Sequence, residues 1–459
     1  MTTRIARAAN PGAAPPALEQ RQRRGKALRG VVPRRAHGTW EAPRHRRDPI
    51  DMLVESSKGR IPELVPLRYG RMLKSPFAFY RGAAAIMAED VSSTLATGIR
   101  VQACGDCHLL NFGAFATPER RIIFDINDFD ETLVAPWEWD VKRLAASIVV
   151  AGRANRFAAA DCRKATVATV RSYRREMARC AETPALKAWY SSQEVRARDL
   201  VDPEMRRFYA ERGRKERRRD AGCEFARLAH TVKGRARIKD DPPLIYHSDT
   251  QRARGFSGHV CRVIERYRES LAVDRRALLD RYHLQDVAMK VVGVGSVGTM
   301  CGVALFLAGK DDPLFLQIKE ARPSILEPVA GESPRENHGE RVVAGQRLMQ
   351  AASDIFLGWT HGDRGRQFYV RQLRDVKIKP VVEIMKPENL SRYATLCGSA
   401  LARAPRALRR CCSAVWLPGR QQHLRRGGRR LRHRLCRSER ARLCVARSGP
   451  KIGVALRCS

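Results

Sequence analysis

An α+β fold in two lobes is what this sequence predicts, and three observations predict it. Helical periodicity dominates residues 49–285, apart from a short strand–loop–strand stretch at 99–131. From Ala288 onward the texture changes to short apolar runs around a glycine-rich segment, which reads as a β-rich region over residues 286–404. The chain has 459 residues, enough to bury a large core and to divide it between two lobes.

The elements follow in order. Residues 1–48 read as a basic arm, with Pro-Gly and Pro-Pro breaks near its start. From Asp48 to Val91 the pattern is helical, broken at Ser75-Pro76, and Phe77, Phe79 and Tyr80 read as core packing. Trp137-Glu138-Trp139-Asp140 opens a long helical region whose charged faces, such as 212–219, read as solvated surface. Further on, residues 290–298 and 300–307 read as paired strands around a glycine turn. Residues 313–319 and 368–373 read as further strands, with a helix over 341–355 between them.

Hydrophobic content of 44% and charged content of 29% are those of an ordinary globular chain, but the formal net charge of +39 is not. That charge is uneven. Residues 403–459 hold 17 Lys/Arg against the one acid Glu439, and residues 1–48 hold 12 against three acids. The long middle is only moderately basic, so the ends set the extreme value. Few aromatics lie among the terminal arginines, so base stacking is not indicated and nucleic acid is not the expected partner. No run approaches the ~18 apolar residues of a membrane span. The Arg-rich start lacks the apolar core of a secretory signal, so a cytoplasmic location is expected. The 13 cysteines show no dense disulfide spacing. Cys104-Gly105-Asp106-Cys107-His108 matches a haem-attachment pattern formally, without the export signal that pattern needs. A zinc site lacks a second ligand pair of matching spacing.

Two constellations carry chemistry. In the first, Asp106 is followed five residues later by Asn111 and, after a hydrophobic strand, by Asp128-Phe129-Asp130. This is a layout of phosphoryl transfer: one carboxylate contacts the acceptor hydroxyl, and an amide and a second carboxylate hold Mg²⁺. Asp106 is the expected base, with Asn111 and Asp128 the metal ligands. Asp125 and Asp130 are substitutes, and Asp130 is otherwise a brace for the loop. His108 is read as a hydrogen-bonder that fixes the loop, with a catalytic role as the alternative. Arg81 reads equally as a cation near the site or a surface residue.

The second constellation is Gly293, Gly295, Ser296 and Gly298, then Lys319 on a following strand. Glycines let backbone N–H groups approach phosphates, and a strand lysine can meet the α/β-phosphates of ATP. The helix beyond would need a Glu to pair with Lys319; Glu327 and Glu340 are both candidates. Together the two constellations describe a kinase-like two-lobe architecture in circularly permuted order, because the catalytic-loop segment precedes the glycine-rich lobe. Permutation is acceptable where chain termini lie close together. The expected function is an ATP- and Mg²⁺-dependent phosphotransferase acting on an unknown, small-molecule acceptor. A catalytically silent nucleotide-binding module and a basic nucleic-acid-binding protein are the alternatives. The sequence does not set the oligomeric state.

The segments Gly25-Lys26-Ala27-Leu28-Arg29, Arg68-Tyr69-Gly70-Arg71-Met72, 75–82, 104–113, 124–132, Glu138-Trp139-Asp140, 292–299, 346–359 and 369–377 resemble the bacterial domain-of-unknown-function family 2252. The likeness runs from about residue 20 to about residue 404. It carries no established activity. Its Gly-Asp-x-His and Asp-Phe-Asp segments are similar, locally, to those of aminoglycoside-phosphotransferase-type kinases.

The likeness to family 2252 breaks at Pro405, where an Arg/Cys-rich string replaces the family's His-Ala-Arg-Ser-Gly-Asp segment and acidic helix. Suitable codons for 405–412, read one base later, encode His-Ala-Arg-Ser-Gly-Asp-Ala, and 424–444 treated alike yield an acidic amphipathic helix. Residues 405–459 are therefore expected to be out of frame. Sequencing the gene across codons 400–410 checks this: a frame shift there is the expected result, and one intact frame overturns it.

Overall fold

The computed structural model describes residues 18–404, apart from 195–206, 208–210, 212–220, 248–249, 310–311 and 374–376. The tail expected from residue 405, the first 17 residues of the arm and the charged face at 212–219 lie outside the described residues. Helices and antiparallel sheets alternate along the chain, so the fold is α+β.

The strands are β1 (Arg100–Ala103), β2 (Phe112–Ala116), β3 (Ile122–Ile126), β4 (Leu133–Pro136), β5 (Ala229–Val232), β6 (Arg235–Ile238), β7 (Ile245–Tyr246), β8 (His283–Lys290), β9 (Cys301–Leu307), β10 (Pro313–Ala321), β11 (Gly358–His361), β12 (Gln367–Gln372) and β13 (Lys377–Ile378). The largest sheet has six strands in the order β11-β12-β10-β9-β8-β7, all antiparallel. A three-stranded sheet, β13-β2-β3, carries the segment between Asn111 and Asp128, and β1 pairs with β4 beside it.

Strand alternation gives the large sheet two different faces. Val287, Phe306, Leu316, Ile318, Phe368 and Val370 pack on one face beneath Val260, Val263, Ile264 and Tyr267 of the helix Thr250–Glu269. The opposite face is apolar at one end, with Val303, Leu305 and Phe315, and polar at the other. There the register sets Lys319 beside Cys301 and Tyr369, and Gln317 beside Arg371. Directly paired residues share a face, so these five side chains form one polar row.

The largest core joins the helices Trp137–Ala154, Ala159–Glu182 and Pro387–Arg403 to the β2-β3 hairpin, through Leu144, Ile148, Tyr173, Leu390, Leu401 and Phe112. Among the described residues, no helix is long and apolar enough to cross a membrane.

Several expected boundaries shift for packing reasons. Within the basic arm, Leu18–Val31 is a helix, and Trp40 is buried in the main core. The helical region expected through residue 285 contains β5, β6 and β7, and its last helices serve the large sheet. Residues 387–403, read only as part of the β-rich region, form the helix Pro387–Arg403, which packs on Ala159–Glu182. The strand expected over 290–298 ends at Lys290, and the glycines form the loop between β8 and β9.

A Cβ at Gly398 would lie 2.4 Å from the Thr169 carbonyl oxygen, so only glycine lets the last helix approach this closely. Gly398→Ala is expected to cost about 1–3 kcal/mol, as overpacked cores do. Urea unfolding checks it; a loss below ~0.5 kcal/mol would contradict the close packing of these helices.

Candidate functional site

The loop from Cys104 to Asn111 is fixed from three sides. Gly105 has φ +83°, and a Cβ there would stand 2.2 Å from the Glu131 carbonyl oxygen, so both conformation and space demand glycine. Asp140, in the first turn of Trp137–Ala154, accepts the Cys104 and Gly105 N–H groups at 2.8 and 3.1 Å. One helical turn later, Arg143 donates Nε to Asp106 Oδ1 at 2.6 Å, and its Nη2 forms an ion pair with the same oxygen at 2.5 Å. Arg143 is itself held by the Tyr80 carbonyl at 3.0 Å and lies over the Tyr80 ring. Burial pushes the Asp106 carboxyl up, against the pull of Arg143.

His108 is buried, with Nε2 3.7 Å from Asp106 Oδ2 and Nδ1 without a hydrogen-bond partner. Burial, reinforced by the charges of Arg143 and Arg81, holds it well below the usual histidine range, so it is neutral. The expected bracing of the loop therefore does not run through its Nδ1. Asn111 donates Nδ2 to the Asp106 carbonyl at 2.6 Å, which leaves its amide oxygen as an acceptor.

The segment after β3 meets the polar row of the large sheet. Lys319 Nζ lies 2.7 Å from Asp130 Oδ2, and Tyr369 donates to Asp130 Oδ1 at 2.5 Å. Burial opposes the Asp130 charge, but Lys319, Tyr369 and Arg371 together hold its carboxyl down at about 2. Asp128 goes the other way: burial and the neighbouring Asp130 charge raise it. Arg341, from the helix His338–Met349, donates to the carbonyls of Asp130, Thr132 and Arg322 and locks this turn in place.

The loop between β8 and β9 completes the site. Gly293 and Gly298 adopt φ of +68° and +86°. The loop is pinned from outside. Arg71 donates to the Gly293 carbonyl, Arg60 to that of Val297, and the Ile61 N–H to that of Gly298. At its tip, Ser296 Oγ donates to Asp130 Oδ2 at 3.3 Å. One cleft, open to solvent, is lined by Asp106, His108, Asn111, Asp128 and Asp130 together with Gly293, Gly295 and Ser296; Lys319 lies behind Asp130 and is not among the lining residues.

Two expectations change. Asp125 does not face the cleft: its carboxylate accepts the N–H groups of Ile126 and Ala351 behind the hairpin, so it is not an alternative metal ligand. Lys319 pairs with Asp130, not with Glu327 or Glu340. Glu340 pairs with Arg335, and Glu327 accepts from the Ser324 N–H. Sequence reasoning missed Arg143, Tyr369, Arg60, Arg322 and Glu131. A signal existed for Arg143, because Asp140 and Arg143 at i, i+3 share the helix face that meets the loop.

Asn111 and Asp128 suit a hard cation, since both offer oxygen to the cleft and a cation would relieve the Asp128–Asp130 repulsion. A second group, Cys104, Cys107 and Asp140, brings its potential ligand atoms within 4.8 Å of one another. There the Asp140 oxygens already serve as the cap for the loop.

Residues 60–426 match the family described as "Uncharacterized protein conserved in bacteria (DUF2252)", and the chain belongs to that family. The match begins later than the motif likeness, and it runs past the expected break at 405 to include the first part of the Arg/Cys-rich string. No curated protein and no solved structure matches the chain.

Glu131 lines the cleft, and burial pushes its carboxyl up to about 7 from an ordinary 4.5. The folded state then holds this proton more tightly than the unfolded chain, so stability falls as pH rises from about 4.5 to about 7 and stays lower above it. Glu131→Gln is expected to flatten that fall in Tm and to melt higher than the parent at pH 8. An unchanged Tm–pH slope would contradict the assignment.

Proposed function

We propose that this protein is a nucleotide- and Mg²⁺-dependent phosphotransferase with a kinase-like, circularly permuted two-lobe arrangement. The observation that supports the reading most is the shared cleft: the glycine loop lines it together with Asp106, Asn111 and Asp128, although the two sets stand about 190 residues apart in the chain, and Lys319 reaches this site through its ion pair with Asp130. The strand order adds support. The glycine loop joins β8 to β9, and the lysine sits in the next strand, β10, as in the nucleotide lobe of a kinase.

Each residue then has a role. Loop residues 293–298 would present backbone N–H groups to phosphates, with Lys319 as the fixed positive charge beneath them. The Lys319–Asp130–Tyr369 triad keeps that charge at one position before any ligand arrives. Asp106, aimed by Arg143, would accept the proton of an acceptor hydroxyl; its raised pKa brings it nearer the range of an effective base. Asn111 and Asp128 would hold Mg²⁺, which when bound neutralises phosphate charge. His108, neutral and buried, would shape the wall behind Asp106.

Mg-ATP is expected to raise the Tm of the full chain by several degrees at concentrations far above Kd. Asp128→Ala should remove the Mg²⁺-dependent part of the shift, and Asp106→Ala should retain binding while transfer or hydrolysis of the γ-phosphate is lost. Binding without any turnover in the parent would favour a catalytically silent nucleotide-binding module. No Tm shift in the parent would defeat the nucleotide reading.

A further inference from the structure

Four arginines line the same cleft: Arg60, Arg68, Arg81 and Arg322. Their hydrogen bonds go to neutral oxygens. Arg60 donates to the carbonyls of Ser56 and Val297, at 2.8 and 2.6 Å. Arg68, only 2% exposed, donates to the hydroxyls of Ser57 and Ser56 and to the Gly82 carbonyl. Arg322 donates to the Lys58 carbonyl at 2.7 Å. Arg68 Nε and Arg81 Nε are buried without a hydrogen-bond partner. Among the described residues, none of the four forms an ion pair with a carboxylate.

Asp128 and Glu383 act on Arg81 through charge alone, with no ion pair among the described residues, and the other nearby acids are committed elsewhere. Asp106 belongs to Arg143 and Asp130 to Lys319. Glu320 accepts from the Met300 N–H and pairs with Arg366, and Glu131 accepts from the Ile325 N–H. Gathering several guanidinium groups in one partly buried wall is unfavourable unless a counter-charge is supplied. Here the protein does not supply it by direct pairing. Burial and the charges of Arg68 and Arg322 bring Arg60 down to about 9, as expected of a cation short of an anion. Guanidinium forks match phosphate oxygens in geometry, and the wall adjoins the glycine loop, whose Val297 carbonyl Arg60 holds.

We infer that Arg60, Arg81 and Arg322, backed by Arg68, form a phosphate subsite in this cleft. The phosphate is either the terminal phosphate of a nucleoside triphosphate or one carried by the acceptor. Placing it next to the transferring centre rests on the phosphotransferase reading; anion binding by the wall does not.

The probe is inorganic pyrophosphate, titrated calorimetrically into the full chain in the presence of EDTA. The parent is expected to bind one pyrophosphate tightly, above any weak background from the basic ends. Arg81→Gln/Arg322→Gln should weaken that site at least ten-fold, while the exposed control Arg262→Gln leaves it unchanged. Pyrophosphate should also raise the Tm of the parent and of Arg262→Gln, but not of the double variant. Equal affinity in parent and double variant, or no one-to-one binding in the parent, overturns the subsite. Should the double variant melt far below the parent, Arg81→Lys takes its place: it keeps the charge, loses the fork and should still weaken binding several-fold, and parent-like affinity overturns the subsite.

Mg-ATP separates the sources. A ten-fold loss of ATP affinity in the double variant assigns the subsite to the donor. Unchanged ATP affinity, with pyrophosphate still binding to the ATP-saturated parent, assigns it to a phosphorylated acceptor. Pyrophosphate binding that depends on the arginines, with no Mg-ATP binding at all, leaves the subsite standing and removes the phosphotransferase reading.

Discussion

The ion pair between Lys319 and Asp130 is the contact on which the site depends. It ties the polar row of the large sheet to the turn that follows β3, and these come from parts of the chain 189 residues apart. Neither partner would tolerate its position alone. An isolated ammonium buried at 3% exposure would lose its proton or draw in water, and removing one member of such a pair typically costs about 3–5 kcal/mol. Tyr369, Ser296 and Arg371 complete the arrangement around Asp130, so that one carboxylate is fully ionised. Two residues away, Asp128 is pushed toward its neutral form. That opposition of neighbouring carboxylates is what a cation would resolve.

A second constraint acts on the glycine loop. The segment around Arg60, Ile61 and Arg71 donates to three of its carbonyls, and Val294 is buried among Met52, Leu53, Phe79 and Ile86. The loop is therefore a fixed wall of the cleft, held by the segment that precedes the Cys104–Asn111 loop. The same segment supplies Arg60, Arg68 and Arg81. The segment over 49–92 thus serves both to position the loop and to furnish the positive wall beside it.

Much of the site was legible because it is written in short-range spacing. Asp106 and Asn111 stand on one loop, and Asp128 follows a two-stranded excursion whose short apolar runs are plain in the sequence. Gly105 could be read as a turn, though not as the close approach to Glu131 that excludes any side chain. Asp125 was misplaced as a ligand because composition does not say which side of the hairpin a carboxylate meets; its partners, at Ala351, come from a distant turn. The helix Pro387–Arg403 was not read within the region taken as β-rich; its place against Ala159–Glu182 is set by long-range packing, including the close approach at Gly398.

By itself, the sequence determined the α+β class, the family, the paired motifs and the short-range order of the residues in them. The tertiary structure decided which groups meet: Lys319 with Asp130, Arg143 with Asp106, and four arginines around a cleft without direct carboxylate partners. The physical reason is range. Spacing and turn chemistry act over a few residues and leave a readable pattern. The choice of counter-ion for a buried charge is made by whichever packed elements bring an opposite charge within reach, and that depends on the whole fold.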